Sequence, residues 1–284
     1  LTGEPEVDAN LLSIIDENEW EWFDDSLPEG HFYNGKLDET SGTLNLINHP
    51  RNKDYLSDLI LSPGDGHLKA TLAESFTQDF GSQVRNEVLE PIVKKFTGQR
   101  SADLASNSLD VFGNYRLKLV PGESSIQMKK SESFDRRLAY ADRRMGSSAT
   151  RKGYPKNGCG IGSWINALTN ALVEYGVKIA TQSNEYQFSW NGNKVTGVSW
   201  IKNGTTHETE IDFIASSLPS AVTARTLKMK IPGGPFLTRN LRLHHYTFRG
   251  EYKNTVLHWI TNFDPTMESF RVTLYENIAS SKNG

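Results

Sequence analysis

Four arginines, Arg136, Arg137, Arg143 and Arg144, crowd a short stretch with Phe134, Leu138 and Tyr140 between them. Each guanidinium offers paired donors in a planar fork and keeps its charge, so the stretch is a candidate grip for a phosphate or carboxylate. A solvated surface loop is the plainer alternative. Next comes a glycine-rich turn, Asn157-Gly158-Cys159-Gly160-Ile161-Gly162, which runs into Trp164, Ile165, Leu168, Leu172 and Tyr175 at helical spacing. Gly158, Gly160 and Ser163 approximate a dinucleotide fingerprint, whose glycines let a pyrophosphate approach a helix N-terminus. The context opposes that reading. A true fingerprint follows a buried strand, whereas 151–156 carries Pro155 and several polar residues unsuited to a central parallel strand. Cys159 has only Lys156 close in sequence, and a nucleophilic thiolate needs a nearby base or positive field. The seven histidines are scattered; only His244 and His245 are adjacent, and strand alternation would turn them to opposite faces, so no metal site is expected.

These candidates need elements to hold them. Around Asn34-Gly35, a dipeptide that tolerates positive φ, residues 32–47 alternate loosely and predict a short hairpin. Within 68–96 the apolar residues Leu68, Leu72, Phe76, Phe80, Val84 and Val88 recur every four, which predicts helix. Gly81 and Pro91 should divide it into two or three pieces. After the helix that follows the glycine turn, 177–180 reads as a short strand. Residues 188–190 and 195–200 flank a turn at Asn191-Gly192-Asn193, and 211–216 reads as another strand ending at Leu218-Pro219. Residues 241–248, 255–261 and 270–275 are rich in β-branched and aromatic side chains and predict an antiparallel sheet. The acidic residues of 16–25 interleave with Trp20, Trp22 and Phe23 but lack the order of a calcium loop, and read as a solvated element with aromatic anchors.

Whole-chain quantities bound the function. A length of 284 residues suits one large domain or two intimate ones, and 31 basic against 34 acidic residues give a net charge of −3, which argues against a global nucleic-acid grip. One cysteine permits no intrachain disulfide, and no apolar run reaches the roughly 18 residues of a membrane helix. With no signal-peptide pattern at the start, a cytoplasmic setting is expected. Leu1 at the start and a strand-like pattern just before the final residues suggest an excised segment.

A connected pattern then emerges: Tyr154, Pro155, Gly158, Gly160, Ile161 and Gly162, then Gly176-Val177, Val195-Thr196-Gly197-Val198, Asp212-Phe213-Ile214 and Pro219. In order and spacing, 154–227 resembles the flavin-dependent amine oxidase and protoporphyrinogen oxidase-like superfamily. His258-Trp259-Ile260 and Phe270-Arg271-Val272 resemble the substrate-side sheet of its protoporphyrinogen oxidase-like and UDP-galactopyranose mutase-like branches. The resemblance implies a mixed α/β chain: a substrate-side region with hairpin and helical insert over 1–150, a partial FAD-binding region over 151–225, and an antiparallel substrate-domain sheet over 226–284. It implies FAD in a longer parent protein, since the family's GxGxxG unit is not in this sequence, and inactivity of this chain alone. Cofactor contacts carry over to Gly158, Gly160, Glu185 and Pro219, with Glu185 replacing the family's usual apolar residue. Substrate candidates are Arg136, Arg137 and Arg271 for an anionic group and Trp259 as an apolar wall. The implied activity is hydride transfer from a small or anionic substrate to flavin, with two alternatives: a flavin-dependent nucleotide-sugar mutase, and a non-catalytic module that binds an anion or carbohydrate.

Overall fold

The computed structural model describes residues 4–23, 28–64, 69–108, 116–140, 152–156, 160–229, 241–247 and 256–278. The chain is mixed α/β and divides into two compact units, Leu1–Leu168 with Thr247–Gly284, and Thr169–Tyr246.

The first unit opens with α1 (Pro5–Leu12), β1 (Trp20–Phe23), β2 (Glu29–Tyr33) and β3 (Lys36–Asp38). Asn34 and Gly35 both have positive φ, 50° and 71°, which matches the right-handed twist of the strands they join. Helices α2 (Asn52–Leu61) and α3 (Leu72–Phe80) follow. Thr71 and Glu74 form a reciprocal capping box at the start of α3, and Gly81, at φ 86°, ends it.

A second helical run then begins with α4 (Ser82–Val84), widens into a π turn (Arg85–Leu89) and continues as α5 (Glu90–Thr97), capped by left-handed Gly98. The break at Gly81 is as expected; Pro91 does not break the run. A proline removes one donor and crowds the carbonyl four residues back, and the wider turn just before it gives that carbonyl room. Asp58, on α2, accepts hydrogen bonds from the backbone of Gln83 (2.6 Å) and Val84 (3.4 Å), so one helix supplies the N-terminal cap of another.

The helices bury Tyr55, Leu59, Phe76, Phe80, Val84 and Val93 in one cluster with Leu46, Leu119 and Leu138. Each such side chain contributes about 1.5–3 kcal/mol by leaving water. Two short helices, α6 (Gly122–Met128) and α7 (Glu132–Arg137), close over this core, and β4 (Lys152–Pro155) pairs antiparallel with β1.

Then α8 (Ile161–Glu174) leads into the second unit, a three-stranded meander of β5 (Asn184–Asn191), β6 (Lys194–Lys202) and β7 (Thr205–Glu210), followed by α9 (Ser220–Thr226). The segments 177–180, 211–216 and 241–247 are not strands, because no described neighbour offers them a ladder. The chain returns to the first unit with β8 (Trp259–Asn262), β9 (Arg271–Thr273) and α10 (Tyr275–Ile278). The sheet there has the order β3-β2-β8-β9. Its end strands pair antiparallel but β2 and β8 run parallel, so this sheet is mixed where the sequence predicts an antiparallel one. No helix among the described residues is long and apolar enough to cross a membrane.

Candidate functional site

The four-stranded sheet gathers the chemistry of the first unit. Register places Trp259 opposite Thr273, and Thr261 opposite both Arg271 and His31, so these side chains share one face. Trp259 and Arg271 are diagonal neighbours there, a separation of roughly 7–8 Å. Arg271 is exposed and Trp259 half-buried, so the face runs from a charged rim to an apolar wall.

His31 anchors the buried end of this face. Its Nδ1 donates to the Ser41 carbonyl at 2.8 Å and its Nε2 accepts from the Asn45 N–H at 3.2 Å, which selects the neutral Nδ1–H tautomer. Burial lowers its pKa below the usual histidine value, against the opposing pull of the Ser41 carbonyl and Asp38. Burial also works to raise Asp38, yet hydrogen bonds from Thr40 and Asn45 outweigh it and hold that carboxyl low.

The loop between β8 and β9 is locked from two sides. Asp264 accepts from the Gly35 N–H at 3.0 Å, tying the loop to the β2–β3 hairpin, and from both the hydroxyl and the N–H of Thr266. These bonds, the Thr266 hydroxyl first, hold the Asp264 carboxyl below the ordinary range. Lys95 on α5 donates to the carbonyls of Asn262 and Asp264, both at 2.7 Å, and burial lowers its pKa. Phe96 packs beside it against the rings of Phe263 (5.9 Å) and Phe270 (5.1 Å). Sequence reasoning misses Lys95 and Asp264 because each acts through partners far along the chain. The available signal is Asp264-Pro265-Thr266, a turn in which an aspartate accepts from the backbone two residues on.

The arginine stretch is divided. Arg136 and Arg137 end α7, while Arg143 and Arg144 lie outside the described residues. Arg137 is 3% exposed and turns its donors to backbone carbonyls: Leu59 (2.9 Å) and Ser62 (3.4 Å) at the end of α2, Asp79 (2.6 Å) at the end of α3, and Ser133 (2.8 Å). Helix C-termini carry partial negative charge, so one guanidinium neutralises two of them. Arg136 is exposed and reaches the Gly64 carbonyl at 2.6 Å. The hydrogen bonds of α7 therefore run to the ends of α2 and α3, while Trp259 and Arg271 sit together on the sheet.

Of the cofactor candidates, Gly158 and the adjacent Cys159 lie outside the described residues. Gly160 has φ 55° just before α8, and a Cβ there would stand 2.6 Å from the Tyr154 hydroxyl. Its missing side chain makes room for Tyr154. In the second unit, Glu185 has φ 53° within a bulge: between the Asn184–Ile201 and Gln187–Ser199 pairs, two residues of β5 face one of β6. Pro219 is the residue before α9.

No protein-family model and no curated protein matches the chain. Among solved structures, the crystal structure of a reduced UDP-galactopyranose mutase is similar, with a TM-score of 0.57 at 12% identity over 96% of this chain. At that identity the likeness establishes the fold. The chain spans 56% of the length of that structure.

Proposed function

We propose that this chain is the substrate-side part of a flavin-dependent enzyme and that it receives an anionic nucleotide sugar. The carrying observation is the likeness to a UDP-galactopyranose mutase across 96% of the chain. Two features support it: the residue pattern of 154–219, and the pairing of an exposed Arg271 with Trp259 on one sheet face. In this reading Arg271 binds the diphosphate through its paired donors and Trp259 forms the apolar wall. Arg136 adds a second cation on the helical side, and Arg137 is a positioning residue that fixes α7.

The fit to a flavin is partial. Gly160 is closed by Tyr154, which leaves no cradle for a pyrophosphate at that position. Glu185 offers a main chain left out of the β5–β6 ladder, suited to a backbone contact, and Pro219 lies at the start of α9. When bound, the flavin would supply the electron or nucleophile chemistry that amino-acid side chains lack. The chain's own task is to orient the sugar and exclude water.

Titration of the chain with UDP-galactose by calorimetry tests this reading. Binding that weakens at least tenfold in Arg271→Ala, about 1.4 kcal/mol, with the fold intact by circular dichroism, is the expected result. Equal binding by the two proteins would overturn the role of Arg271. The oxidative alternative, hydride transfer from a small substrate, draws on the same residue pattern at 154–219. It predicts no preference for the nucleotide sugar over a simple organic anion.

A further inference from the structure

Away from the sheet face, α3 and the start of the π turn border an open hollow of about 450 Å³, lined by Pro63, Ala73, Glu74, Thr77, Gln78 and Arg85. The four α3 residues are spaced so that they share one side of the helix. Arg85 differs from the other arginines between residues 51 and 137. Arg51, Arg100, Arg116 and Arg136 pair with carboxylates, and Arg137 is held by carbonyls. Arg85 forms no ion pair among the described residues, and its Nε is shielded from solvent without a hydrogen-bond partner. A guanidinium whose Nε has no acceptor, on a side chain that is half-buried, is disfavoured unless something else supplies one. The hollow beside it has the size of a small-ligand site and a largely apolar lining, so the missing acceptor would arrive on an apolar body.

We propose that this hollow binds a small carboxylate with an apolar body, its carboxylate on Arg85 and its body against Pro63 and Ala73. Thr77 gives its hydroxyl proton to the Ala73 carbonyl and keeps a lone pair toward its surroundings. Glu74 lines the same hollow and accepts the Thr71 N–H in the capping box. The opposed charges of Arg85 and Glu74 admit two sources of the same carboxylate chemistry, a simple organic acid and a zwitterionic amino acid.

The test follows the arginine Nε–H resonances of the labelled chain by NMR during titration with benzoate, L-phenylalanine and the neutral benzyl alcohol. A saturable shift of the Arg85 signal with benzoate or L-phenylalanine but not benzyl alcohol is expected. Tighter binding of L-phenylalanine would place its ammonium on Glu74, and tighter binding of benzoate would leave Glu74 outside the contact. Arg85→Gln should abolish saturation, and Ala73→Leu, which narrows the hollow and keeps the arginine, should weaken binding at least fivefold. The second variant serves if the first does not fold. Absence of saturation by about 10 mM, or equal binding of benzyl alcohol, overturns the proposal.

Discussion

Arg137 shows how far a residue's type underdetermines its role. A guanidinium suits a bound anion and the negative end of a helix equally well, and here its donors reach the carbonyls of Leu59, Ser62 and Asp79. Replacing it with Ala would leave those carbonyls buried without donors, and should cost about 2–4 kcal/mol of stability in urea denaturation. Lysine should rescue little, because a single ammonium cannot reproduce the fork. His31 makes a pH-dependent prediction. Its native pKa lies below the unfolded value near 6.5, so its contribution to stability is complete above that value. As pH falls from 6.5 toward the native pKa, the unfolded chain takes up protons that the native chain refuses, and stability declines. His31→Gln should flatten this decline in melts between about pH 7 and 5. Part of the slope will persist, since burial and Arg51 depress His49 in the same direction. A third group, Tyr55, is pushed up to about 12 by burial and by its hydrogen bond to Glu87, so it should ionise late in an alkaline titration.

Elements were legible where the signal is local. The Asn34-Gly35 turn, the four-residue apolar spacing of α3 and the helix after the glycine turn all declare themselves within a dozen residues. Where the signal belongs to a partner, sequence fails. The parallel pairing of β2 with β8 has no local signature, and 177–180 has strand composition yet no described neighbour to pair with. Among the site residues, Trp259 and Arg271 are visible as types in a strand pattern, but their sharing of a face depends on register. The junction of α3 with α4 is another cross-chain device. Gly81 has φ 86°, and a Cβ there would stand within 2.2 Å of the Asp58 carboxyl, the group that caps α4. Asp58→Ala should cost about 1–2 kcal/mol through the lost cap, and Gly81→Ala more, through strain and collision. The double variant should be less destabilised than the sum of the two, because removing the carboxylate removes the collision. Strict additivity in denaturant melts would show that the two sites act separately.

At the scale of the molecule, the second unit leaves much apolar surface in water. Phe213 is 84% exposed, Tyr175 88% and Ile179 43%, on segments that make no ladder among the described residues. Exposed apolar residues in such density mark surfaces that associate. The chain should bind a hydrophobic dye and self-associate in sedimentation at rising concentration. Phe213→Asp with Ile179→Lys should reduce both and leave the melting temperature within a few degrees, since neither side chain supports the core of the first unit. Unchanged sedimentation in that variant would exclude this surface as the contact.

The parallel partnership of β2 with β8, and the bond from Gly35 to Asp264 across 229 residues, set a schedule for the first unit. On a ribosome the hairpin of β2 and β3 emerges more than two hundred residues before its partner strand β8. The helical cluster can condense in the meantime through its short-range contacts, while the sheet waits for chain closure over more than two hundred residues. Folding of these 284 residues should therefore proceed in two phases, a fast one reported by helix signal and a slow one reported by burial of Phe263. The open edge of β2 is exposed for that whole interval, a period in which a chaperone has the most to protect.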